Sequence, residues 1–62
     1  MATKYAKEIQ SGDKFAADCD VFTAVAKATV NERGMAVIEV RHTRHNRKVA
    51  FPPTKLVSVL NG

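Results

Sequence analysis

Between residues 35 and 51, apolar and polar side chains alternate on either side of a wholly polar run. Ala36, Ile38 and Val40 share one parity, while Glu39 and Arg41 take the other. Val49 and Phe51 resume the apolar parity, with Lys48 and Ala50 opposite. A period of two is the signature of a strand with one buried face. The pattern predicts two strands joined by a polar loop over 41–48, in which Asn46 is the residue best suited to left-handed backbone.

Similar punctuation divides the rest of the chain. Residues 1–10 read as a short lead-in, helical or extended, in which Tyr5 and Ile9 stand four apart and would share a helix face. One or two turns of helix are stable only when docked on something else. Ser11, Gly12 and Asp13 signal a turn. Residues 14–17 form the first expected strand, with Phe15 inward, and Asp18, Cys19 and Asp20 form a tight turn. Residues 21–30 give the longest expected strand, bent between two halves of a barrel. Val21, Thr23, Val25, Thr29 and Val30 favour it, and the alanines at 24, 26 and 28 suit a sharp bend. Residues 31–34 form a turn in which Gly34 supplies positive φ. Pro52 and Pro53 end a strand because neither can donate a ladder hydrogen bond. Residues 56–60 make the last strand, Leu56 and Leu60 facing the core, with Asn61 and Gly62 closing it.

Phe51-Pro52-Pro53-Thr54-Lys55-Leu56-Val57-Ser58-Val59 resembles the end of an SH3-type barrel, where an aromatic-Pro segment forms a 3₁₀ turn before the last strand. With Ile9-Gln10-Ser11-Gly12-Asp13 at the start, strand order and lengths over residues 9–60 are similar to the wider SH3-like class, which includes KOW-type modules. The resemblance implies an all-β, five-stranded SH3-like small barrel: one domain over 1–62, with 1–10 as lead-in and 11–60 as barrel. Two features depart from the class. Peptide-binding SH3 domains display clustered aromatics, whereas this chain has only Tyr5 besides three phenylalanines needed inside. The glycine-rich turn of KOW modules is also missing. In size and style the chain further resembles small actinobacterial or phage proteins.

Charge adds a functional direction. The chain carries ten Lys and Arg against six Asp and Glu, a net +4. Arg41, Arg44, Arg47 and Lys48 lie within eight residues that hold no acid, and the other six cations match the six acids. The whole net charge therefore sits in 41–48. Arginine presents a planar donor fork suited to phosphate oxygens. A nucleic-acid backbone, DNA or RNA, is the expected partner of Arg41, His42, Arg44, His45, Arg47 and Lys48. An acidic protein is the alternative, as for a phage-type accessory protein that modulates a host factor, or a homo-oligomeric structural protein. Met35, Val37, Val57 and Val59 would form an apolar strip if they faced outward, which suits a homodimer.

Other chemistry is sparse. Sixty-two residues bury only about 60% of their unfolded surface, leaving no room for an enclosed substrate cavity beside a core. No catalytic residue, cofactor or metal is expected. His42 and His45 form an H-x-x-H pair that Asp18, Cys19 or Asp20 would have to complete to bind zinc, and surface histidines are the simpler reading. Protonated at about pH 6.5, such imidazoles would add charge to the loop. A single cysteine excludes an internal disulfide. With no apolar run resembling a signal peptide or a membrane span, the expectation is a cytoplasmic protein.

Overall fold

The computed structural model describes residues 2–42 and 44–60, His42 through its backbone alone. Seven strands appear: β1 (Ala2–Tyr5), β2 (Lys14–Ala17), β3 (Asp20–Ala24), β4 (Thr29–Val30), β5 (Ala36–His42), β6 (His45–Phe51) and β7 (Leu56–Val59). A 3₁₀ helix, Ala6–Glu8, follows β1, and no α-helix occurs among the described residues. All pairings are antiparallel. One sheet runs β1-β7-β2-β3-β5-β4, with β6 on the other side of β5, and it curls into a half-barrel of 27 × 25 × 20 Å. No helix among the described residues is long and apolar enough to cross a membrane.

The all-β expectation holds; the five strands are seven. One extra strand comes from the lead-in. Ala2–Tyr5 pairs with β7 from Ala2 opposite Val59 to Tyr5 opposite Leu56. A segment too short to hold a helix thereby gains a ladder. The other comes from residues 21–30, which break in two along β5. Ala24 lies opposite Val40 and Thr29 opposite Val37, so four residues (25–28) face only two, Ile38 and Glu39. The N–H of Val25 still donates to the Glu39 carbonyl at 2.9 Å, and beyond it the segment turns away to meet the residues before β2. The N–H of Ala28 donates to the Ile9 carbonyl at 2.9 Å, and the Ser11 hydroxyl donates to the Val25 carbonyl at 3.3 Å. The N–H of Gly12, at φ +90°, donates to the Ala24 carbonyl at 2.9 Å. The alanines at 24 and 28 are buried and allow this close crossing.

The concave face holds the core: Phe15, Phe22, Ile38, Val40, Phe51, Val57 and Val59, with Ala6 and Ile9 packed against it from the lead-in. Phe15 is central, its ring 5.5 Å from Phe22 and 6.5 Å from Phe51. Tyr5 and Ile9 do not share a face, because the 3₁₀ helix between them buries Ile9 and leaves Tyr5 exposed. The last strand is turned over relative to expectation. Leu56 and Leu60 are 56% and 36% exposed, while Val57 and Val59 are buried. A one-residue change of register exchanges every side chain between faces. Here Val59 stands opposite Phe15, and Ser58 opposite Ala16. Ser58 shares its parity with the two leucines; facing it inward would have left a hydroxyl in the core.

Turns follow local chemistry. Asp18 and Cys19 have φ of 50° and 68° between the paired residues Ala17 and Asp20, the backbone of a type I′ hairpin. Asn31 accepts the N–H groups of Arg33 and Met35 on its side-chain oxygen at 3.0 and 2.9 Å, and Gly34 takes φ +80°. Residues 52–55 form a single hydrogen-bonded turn, Lys55 N–H to the Pro52 carbonyl at 2.9 Å. One such bond closes a turn and no helix, so the expected 3₁₀ element is absent there. Instead the Lys55 carbonyl accepts the N–H of Ala6 at 2.8 Å, tying the 3₁₀ helix near the N-terminus to the start of β7. Residues 61 and 62, expected to close the last strand, lie outside the described residues.

Candidate functional site

The basic run is mostly strand. Arg41 and His42 end β5, β6 begins at His45, and Arg44 lies in the turn before it. Asn46 is paired opposite Arg41 in regular extended backbone, and among the described residues the left-handed ones of non-glycine type are Asp18 and Cys19. The polar composition of 41–48 suggested a loop because a strand normally hides one face. The ladder with β5 supplies the missing order: Val40 pairs with Arg47, Arg41 with Asn46, and His42 with His45.

This register divides the cations between two faces. Arg47 and His45 lie on the concave side, in line with Val49 and Phe51. Arg41, Asn46 and Lys48 lie on the convex side, in line with Glu39. Arg44 occupies the tip. From Arg44 to Lys48 every residue is exposed, so the distal half of β6 is bare on both faces. The half-barrel explains it: the curl stops at β6 and places nothing over Arg47. The side chain of His42, an expected member of the site, lies outside the described residues.

The convex face also brings in a residue that sequence reasoning missed. Lys14, Thr23, Arg41 and Asn46 form one row across β2, β3, β5 and β6. At about 4.8 Å per strand, Lys14 stands roughly 10 Å from Arg41 along that row. Only the pairing order could reveal it, since 27 positions separate them in the chain. Arg41 shares its face of β5 with Glu39, and neither belongs to the fold's ion pairs. Among the described residues those pairs are Lys4–Asp13 at 3.4 Å and Lys55–Asp18 at 3.0 Å, neither in the arm. Lys48 stands opposite Glu39, and both line an open depression of about 180 Å³ with Ala26, Lys27, Thr29 and Val37.

Elsewhere the convex face changes character. Tyr5 pairs with Leu56, and Thr3, Ser58, Ala16 and Val21 form an uncharged row over β1, β7, β2 and β3. Cys19 is an exposed free thiol in its turn. Among the described residues no three His, Cys, Asp or Glu side chains are grouped to hold a metal ion. Comparison with protein-family models, curated proteins and solved structures returns no match.

Proposed function

We propose that this chain is a non-enzymatic binding module that contacts nucleic-acid backbone through the β5–β6 arm. One observation carries the reading: the side chains that hold the net charge are exposed on both faces of the β5–β6 arm and belong to none of the ion pairs found among the described residues. Arg41, Arg44, Arg47 and Lys48 supply the charge, and His45 and Lys14 lie within reach of the same surface. His42 keeps its place in the proposal through its backbone position beside His45. Phosphate neutralisation of this kind gives strong salt dependence and little intrinsic sequence preference. The SH3-like class remains our assignment for the fold, supported by the curled antiparallel sheet, and the cytoplasm our assignment for the compartment.

The test is fluorescence anisotropy with mixed-sequence RNA, single-stranded DNA and duplex DNA at low and moderate salt. A variant with Arg41, Arg44, Arg47 and Lys48 all changed to Gln serves as control. Binding that weakens with salt and disappears in the folded variant supports the proposal; a wild type silent at low salt refutes it.

A second reading, a protein-interaction module, is favoured by the exposed apolar pair Tyr5 and Leu56, with the Lys7 ammonium 5.8 Å from the Tyr5 ring. Its partner would be an acidic protein, a host factor in the phage-type case, or another copy of this chain. Capture of one protein, unaffected by nuclease and dependent on Tyr5 and Leu56, would select it.

A further inference from the structure

From the division of charge between the two faces of β6, we infer that the partner is double-helical B-form DNA, with the edge of β6 entering its major groove. This rests on the nucleic-acid reading above and narrows it. A protein that lays a flat sheet face on a strand needs cations on that face alone. Here the faces are nearly equal: Arg47 and His45 on one, Arg41, Asn46 and Lys48 on the other with Glu39 opposite Lys48, so that each face carries one net positive charge, and Arg44 at the tip. Such an edge is a blade with donors on both flanks, suited to a slot with a negative wall on each side.

Dimensions select the slot. A two-stranded β-ribbon is a shape that the major groove of B-DNA admits. The major groove of B-DNA is about 12 Å wide and 8.5 Å deep, and the minor groove about 6 Å wide. The blade fits the first and is too thick for the second. Duplex RNA is a poor fit because its major groove is deep and narrow. Single strands are held by aromatic stacking, and no Phe, Tyr or Trp lies between residues 41 and 48.

Orientation is consistent with edge-on approach. β5 separates β6 from β3, so the acids of the β2–β3 turn, Asp18 and Asp20, trail on the far side of β5. From His45 to Lys48 the strand advances about 10 Å, which matches roughly three base-pair steps at 3.4 Å per step. Within that reach Arg41 and Lys48 would meet phosphates of one wall and Arg47 those of the other. Arg44, at the tip, would reach toward base edges.

Anisotropy titrations against duplex DNA, duplex RNA and both single strands test this, each over a series of salt concentrations. The inference predicts duplex DNA bound at least about tenfold tighter than the other three. Arg41→Gln and Arg47→Gln, on opposite faces, should each lower the log–log salt slope by about 0.9, one phosphate contact apiece. A minor-groove ligand should leave binding intact, and bulky substituents on C5 of cytosine should abolish it. Equal binding of single strands or duplex RNA, or a loss confined to one face, overturns the blade while leaving backbone contact standing. Silence of all four ligands at low salt overturns both. Circular dichroism of each variant confirms that loss of binding is not loss of fold.

Discussion

β6 and β7 enter the sheet with opposite commitments. β7 alternates strictly, Leu56 and Ser58 out and Val57 and Val59 in, and lies between β1 and β2. Every second side chain of it is core. β6 has twice the reach but is exposed from His45 to Lys48, and only Val49 and Phe51 touch the interior. In a chain this short, buried apolar side chains and exposed charge have been allotted to different strands. The same separation is visible on the convex surface, uncharged over β1, β7, β2 and β3 at Thr3, Ser58, Ala16 and Val21, and basic toward β6. The basic surface can therefore change without disturbing the interior.

The sharpest test of that separation is Phe15→Ala. Deleting a buried phenylalanine costs about 3–5 kcal/mol, as much as a core of this size supplies, about 3–5 kcal/mol. The variant should be largely unfolded at 25 °C, seen as collapsed amide dispersion in NMR; a cooperative urea transition would show that the core does not centre on Phe15. Next in size is Cys19→Gly. Cys19 holds φ 68° with a Cβ, and relieving that conformation should raise stability by about 1 kcal/mol in urea unfolding. An unchanged midpoint would argue that the turn is not type I′.

The arm should respond very differently. Changing Arg41, Arg44, Arg47 and Lys48 together to Gln should shift stability by less than about 0.5 kcal/mol, despite removing the whole net charge. A loss above about 2 kcal/mol would mean that β6 is held by its side chains as well as its ladder, and the contrast with β7 would fail. Smallest of all, Lys55→Ala should cost about 0.2–0.5 kcal/mol, because its ion pair with Asp18 is exposed on both sides. Thermal melts in low and high salt would measure it, the difference shrinking as salt rises.

Alternation was readable wherever one parity was polar. Lys14–Ala17 has its predicted bounds, and Ala36, Ile38, Val40 and Phe51 face inward as expected. Where both parities were apolar, as in β7, the pattern offered two answers, and Ser58 was the residue that separated them. The break at 25–28 had no local sign, since it depends on hydrogen bonds to Ile9, Ser11 and Gly12. The charged cluster was visible from composition; its partition between faces was not. That partition exists only once His45 is set opposite His42 and the count runs back along β6.

Because the curl is left open, the sheet ends on β1, on β6 and on β4, which at two residues is too short to template a partner; the two longer borders are unlike. Along β6 any incoming copy of the same strand would bring arginine and lysine against arginine and lysine. Along β1 the sole cation, Lys4, is already neutralised by Asp13, so that border alone can accept another backbone. Two molecules joined antiparallel along β1 would consume the permissive border of each and present only repelling ones outward. Assembly by strand addition would then terminate at a pair, and the basic edge would act as a stop against fibre growth.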